Sequence, residues 1–222
     1  MPDLITTYKG MQDRLYRQVQ RADLLADGMY GVFINEALRE IQNRRSWSVM
    51  KNTVDIHIPN GSATVSDFPT DFKEFQNLRP PMSIVLTDPS TDSEVLKPID
   101  VVDELQELRR VWNFGGLVWT LRVIADQNTG TTSVSIIVPA AEDLTLRMKY
   151  YRYLPLLTGD NDTNWFLQNF PRVVWSKAKA NAFYEINDTK AEDDAGREFE
   201  SELQRAMRQD AWSAVAGMSA RM

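Results

Sequence analysis

Few residues in this chain of 222 could carry chemistry, and their spacing argues against each familiar reaction. The single histidine, His57, alternates with Asp55 along a stretch whose other positions, Val54, Ile56 and Ile58, are apolar. Such alternation assigns His57 to the wet face of a strand. One histidine excludes by count a multi-histidine metal site or a histidine-centred triad. The absence of cysteine removes disulfides, thiolate zinc sites and a thiol nucleophile. Asp160 and Asp162 have the local spacing of two calcium ligands, but the later ligands and the bidentate glutamate that such a loop needs do not follow. Glu192, Asp193 and Asp194 could supply an acid–base carboxylate pair. Their position at a helix start gives them the simpler task of complementing the helix dipole. No phosphate-cradling glycine loop occurs; Gly115-Gly116 reads as a turn. Arg44-Arg45 and Arg109-Arg110 fall in the last turns of expected helices, where cations cap the backbone, although phosphate contact is a second use for them. Trp119, Tyr150, Tyr151 and Tyr153 could stack on bases, but the first two occupy apolar strand positions and read as core.

The elements that would position these residues are helical at both ends and extended in the middle. Leu4, Tyr8, Met11, Leu15 and Val19 have helical spacing. After a break at Ala26-Asp27-Gly28, Tyr30, Phe33, Ile34, Ala37, Leu38 and Ile41 form a cleaner amphipathic stripe. From Trp47 the period changes to two, and Asn60-Gly61 predicts a hairpin that returns through Ala63 and Val65. Ser83–Leu86 and Val95–Lys97 read as a strand pair around the loop TDPSTDSE, and residues 100–111 as a short helix within the β region. Alternation over 117–123, 132–138 and 144–150 predicts three antiparallel strands in a meander. Beyond Gly159 the chain turns helical again. Thr163 is the expected N-cap of a short turn carrying Trp165, Phe166 and Phe170, and Pro171 suits the first position of the next helix. Val174, Ala178 and Ala182, with Trp175 and Ile186, mark a small-residue stripe for close packing. After Asn187-Asp188, Phe199, Leu203 and Ala206 give the partner stripe on a charged helix, interrupted at Asp210.

The fold class expected is therefore α+β: a helical bundle of residues 1–47 and 159–222, with an antiparallel β domain, 48–158, inserted between its halves. The 43% hydrophobic and 25% charged content is that of a globular protein, and no run approaches the roughly 18 apolar residues of a membrane span. The start MPDLITTYKG lacks the pattern of a signal peptide, so the chain is expected to act where it is made. A net charge of −6 and a pI near 4.9 argue against affinity built on phosphate neutralisation. They suit a surface that nucleic acid passes without sticking.

The segments FINEALREIQNRRSW (33–47) and FPTDFKEF (68–75), and then YYRYLPLLTGDNDTNWFLQNFPRVV (150–174) with the alanine-rich and charged helices after it, resemble the head–tail adaptor proteins of tailed bacteriophages. The resemblance implies a non-enzymatic virion subunit, assembled in the host cytoplasm and placed at the head–tail junction. There it would form a ring of twelve below the portal protein, extend the channel for genomic DNA and offer a platform to tail or nozzle proteins. It implies no catalytic residue, cofactor or metal. A tail-completion or gatekeeper ring is the neighbouring reading, and a hydrolase using Asp160, Asp162 or Glu192 the distant one.

The segment from Ala195 to Met222 is the expected portal-docking element. Its candidates are Phe199, Leu203, Met207, Arg208, Trp212, Val215, Met218, Arg221 and Met222, because aromatic, Met and Arg side chains are enriched at interfaces. A frayed end packing only on its own bundle is the alternative.

Overall fold

The computed structural model describes residues 6–60, 64–65, 69–76, 82–88, 93–101, 120–125, 132–136 and 143–219. The chain is α+β and divides into two units: Met1–Val49 with Leu154–Met222, and Met50–Tyr153.

The first unit is helical. Helix α1 (Tyr8–Val19) starts at Thr7, whose hydroxyl accepts the Gly10 N–H, and buries Tyr8, Met11 and Leu15. A five-residue helix α2 (Ala22–Ala26) fills part of the expected break, and Gly28, at φ 70°, takes the left-handed turn into α3 (Met29–Arg44). Every member of the α3 stripe, from Tyr30 to Ile41, is buried. After α3 comes Trp47, fully buried. Its indole N–H donates to the Ile41 carbonyl at 2.8 Å, and its ring packs on Trp165, Phe166 and Phe170.

Two amides on α3, two turns apart, then do something periodicity does not reveal. Asn35 donates to the Leu157 carbonyl and accepts the Leu157 N–H, both at 2.9 Å, and buried Gln42 accepts the Leu154 N–H at 2.6 Å. They satisfy backbone of an extended segment as a neighbouring strand would. Residues 154–158, grouped with the β domain on sequence grounds, therefore belong with the helices.

Helix α4 (Trp165–Asn169) is capped by Asn164, whose side chain accepts the Leu167 N–H at 3.0 Å. This corrects the expectation for Thr163, one residue away, whose hydroxyl instead donates to the Thr6 carbonyl. Helix α5 (Pro171–Glu185) has its proline at the start, as expected, and buries Val174, Ala178 and Ala182 together with Val173, Trp175, Ser176 and Ala180. Helix α6 (Thr189–Ser219) packs against it.

Among the described residues the second unit is an eight-stranded sheet in the order β1 (Lys51–Ile58), β8 (Leu144–Arg152), β4 (Met82–Asp88), β5 (Ser93–Val101), β6 (Thr120–Ala125), β7 (Thr132–Ile136), β2 (Thr64–Val65), with β3 (Phe72–Phe75) also on β8. Strand β1 (Lys51–Ile58) pairs antiparallel with β8 (Leu144–Arg152), from Lys51 opposite Tyr151 to Ile58 opposite Leu144. The expected 54–65 hairpin is therefore not formed as a ladder: β2 (Thr64–Val65) pairs with β7 (Thr132–Ile136). Beside β1 a nine-residue strand offers Leu146 and Met148 to Ile56 and Val54, far more than two residues could supply, and the Asn60 N–H bonds the Asp143 carboxylate.

The β4 (Met82–Asp88) and β5 (Ser93–Val101) pair is as expected but longer, and Asp100 and Val101 are strand, not the start of a helix. The rest of the 100–111 helix and the 117–119 part of its successor lie outside the described residues. Strand β6 (Thr120–Ala125) pairs antiparallel with β7 and parallel with β5. The meander stops there, since β8 joins β1, β3 and β4 instead. Ile56, Ile58, Leu146, Met148 and Tyr150 are buried. The Tyr150 hydroxyl donates to Asp71 and accepts from Asn52. On the other face Arg147 pairs with Asp55 and Glu94 and holds both carboxyls below the usual range.

Candidate interaction surface on the last helix

The turn into α6 is built from two residues. Asn187 takes a left-handed φ of 55°, which asparagine tolerates, and Asp188 accepts the Ala191 N–H at 3.1 Å as the N-cap. Ala195, Phe199, Leu203 and Ala206 then face inward, the first three turns of a stripe that recurs every third or fourth residue. Lys179 of α5 reaches Glu198 at 2.6 Å and fixes the two helices side by side.

Asp210 does not interrupt this stripe; it is the stripe's next member, 2% exposed. Its carboxylate accepts the Ser48 N–H, at 3.3 Å to both oxygens, and the Ser48 hydroxyl, and lies 3.6 Å from Arg45. Arg45 also donates to the Met207 carbonyl at 2.6 Å. A buried carboxylate without such donors would cost several kcal/mol, so the helix is polar here because the chain after α3 offers N–H, O–H and guanidinium together. Sequence reasoning missed this anchor. The signal was the spacing 199–203–206–210, which continues the stripe without a break.

The docking candidates separate accordingly. Phe199 and Leu203 are buried in their own bundle and do not form an accessible surface. Met207 is half-buried, whereas Arg208 and Trp212 are exposed, Trp212 to 77%. Val215 and Met218 lie on the continuing helix; Arg221 and Met222 lie outside the described residues.

The residues considered for catalysis do not converge. His57 and Asp55 are exposed on the sheet, with Asp55 held by Arg147. The Asp162 carboxylate accepts the Gly159 and Thr158 N–H groups, which pull its pKa down and make it the clasp of its own loop. The Asp160 and Asp162 carbonyls accept N–H groups of α1. Glu192 sits in the first turn of α6, and Asp194 pairs with Arg197. Among the described residues no group of three metal-capable side chains comes together, and no helix is long and apolar enough to cross a membrane.

In comparison with known proteins, the family model described as SU10 adaptor protein matches residues 6–221. No curated protein matches the chain. With nearly every residue covered, from before α1 to past α6, the chain belongs to the SU10 adaptor protein family, a structural family of phage head–tail adaptors.

Proposed function

We propose that this protein forms a ring, twelve copies around, below the portal protein of a tailed phage, extends the DNA channel and presents a platform to the tail. Family membership across residues 6–221 carries this reading. The helical unit attaches upward through the part of α6 beyond the Asp210 anchor, with Val215 and Met218, and through Arg221 and Met222, which follow it in the sequence, with Met207, Arg208 and Trp212 at its root. Trp212 is exposed and Met207 half-buried, and aromatic and Met side chains suit a groove on another protein. DNA passes through the ring without sequence-specific contact, a role supported by the net charge of −6.

The test is electron microscopy of the purified protein mixed with portal rings. Added density of matching symmetry on the tail-facing side of the portal is the expected result. Portal particles unchanged in saturating protein would overturn the reading.

A further inference from the structure

Helix α6 is held by two kinds of contact. Ala195, Phe199, Leu203 and Ala206 are buried apolar positions, whereas the segment after α3 grips the same helix with polar groups. Arg44 reaches Glu200 at 3.2 Å, Arg45 donates to the Met207 carbonyl at 2.6 Å, and Ser48 donates its N–H and its hydroxyl to Asp210. The strap formed by residues 44–48 is itself fixed. Trp47 is fully buried against Trp165, Phe166 and Phe170, and the Arg45 guanidinium lies 5.9 Å from the Trp47 ring centre. The two grips differ in strength. Arg44 and Glu200 are each about half exposed, so water screens their pair and it adds little. Of the buried polar side chains among the described residues, Gln42, Ser176 and Asp210, only Asp210 is a carboxylate. On release it exchanges its protein donors for water, which solvates a carboxylate well. Opening at the strap therefore costs less than parting the apolar stripe, and the helix beyond Ala206 is the part that opens first.

We infer that the strap and Asp210 form a latch on α6: the helix beyond Ala206 opens and closes against Arg45 and Ser48, and the closed position is the one that attaches to portal. The inference rests on the portal-docking reading and names the contact that controls it. Residues 213–222 begin three residues past Asp210, so closing the latch fixes the direction in which they leave the bundle. A segment whose root is already fixed loses less freedom on binding than a loose one. Linkage makes the effect reciprocal. A partner that binds only the latched form must hold the latch shut, although Ser48 is not among the docking residues.

Hydrogen–deuterium exchange read by mass spectrometry, on the full chain with and without portal rings, tests the latch. In the free protein, peptides covering 45–50 and 207–212 should exchange faster than those covering the buried stripes of α3 and α5. With portal at about ten times its dissociation constant, exchange in 45–50 should slow about tenfold, the factor by which a partner that binds one of two states suppresses the other. Ser48→Ala, which removes a hydroxyl bond to Asp210, should speed exchange in 207–212 about fivefold and leave α5 unchanged. Attachment to portal with exchange in 45–50 unchanged would overturn the latch and leave the docking reading standing. So would equal acceleration of α5 by Ser48→Ala, since the strap would then open only with the whole unit. A chain that does not attach to portal overturns the docking reading, and the latch with it.

Discussion

Replacing Asp210 with alanine should destabilise the helical unit although the residue lies near the chain's end, where truncation is usually tolerated. The cost can be assembled from its contacts. The Ser48 N–H, bonded at 3.3 Å to both carboxylate oxygens, loses its acceptor in a site where Asp210 is 2% exposed. A buried unsatisfied donor costs about 1–3 kcal/mol. The Ser48 hydroxyl loses a charge-assisted bond, but it can rotate, so about 1 kcal/mol is the appropriate figure. Arg45 is 31% exposed and keeps its bond to the Met207 carbonyl, so its 3.6 Å pairing adds less than about 1 kcal/mol. The total is about 3 kcal/mol. Urea unfolding followed by tryptophan fluorescence, to which buried Trp47 contributes from this unit, should show the midpoint falling by about 1.5–2 M if m lies near 1.5–2 kcal/mol/M. Asp210→Asn, which keeps one acceptor, should lose less. In a double-mutant cycle with Ser48→Ala, the two losses should overlap by at least about 1 kcal/mol. An alanine variant within about 0.5 kcal/mol of wild type would refute the view that Asp210 anchors α6.

Other perturbations are expected to act as follows. Asp162→Asn should lower stability at pH 7, and the difference from wild type should shrink as pH falls below about 3.8 in acid-unfolding curves: a carboxylate depressed on folding contributes fully above its unfolded value, and that contribution is lost as pH falls through the lower folded value. Gly31→Ala places a methyl against the Tyr8 hydroxyl and the Gln12 amide, and overpacking should outweigh the gain in helix propensity, for a net loss of about 1–2 kcal/mol in thermal melts. Gly196→Ala, with open space around the new methyl in mid-helix, should gain about 0.5–1 kcal/mol in the same assay. Deleting residues 213–222, which spares the Asp210 anchor, should leave melting within a few degrees of wild type while abolishing attachment to portal rings; retained attachment would count against the docking role.

What could be read from the sequence was what repeats. The α3 stripe from Tyr30 to Ile41 and the α5 stripe of Val174, Ala178 and Ala182 are buried where their spacing put them, because a helix needs only one continuous apolar face to declare itself. Alternation likewise gave the buried face of β1 and β8. It did not give their pairing. Period two records which way a side chain points and nothing about which strand lies beside it, so β1 was paired with its nearest follower instead of with β8. Asn35 and Gln42 were invisible for a related reason: a polar residue on an inward position reads as a flaw until the backbone it satisfies, at Leu157 and Leu154, is known.

Asp210 is the same error with a larger consequence. Taken as an interruption of the stripe, it left buried Phe199 and Leu203 among the docking candidates with the residues beyond it. Taken as a buried anchor, it marks the point where α6 changes the segment it packs against. At about 1.5 Å per residue the 31-residue α6 is roughly 46 Å long and the 15-residue α5 roughly 22 Å, so α5 can cover only the first half of its partner. The segment after α3 takes over at Met207 and Asp210. Beyond that point a further nine residues of helix continue to Ser219, and Trp212 near their start is exposed. A helix ordinarily depends on tertiary packing for its stability, so the length of α6 beyond the Asp210 anchor is where the proposed portal contact would act. The Asp210 anchor holds α6 to the segment after α3, and the proposed attachment to portal begins beyond it.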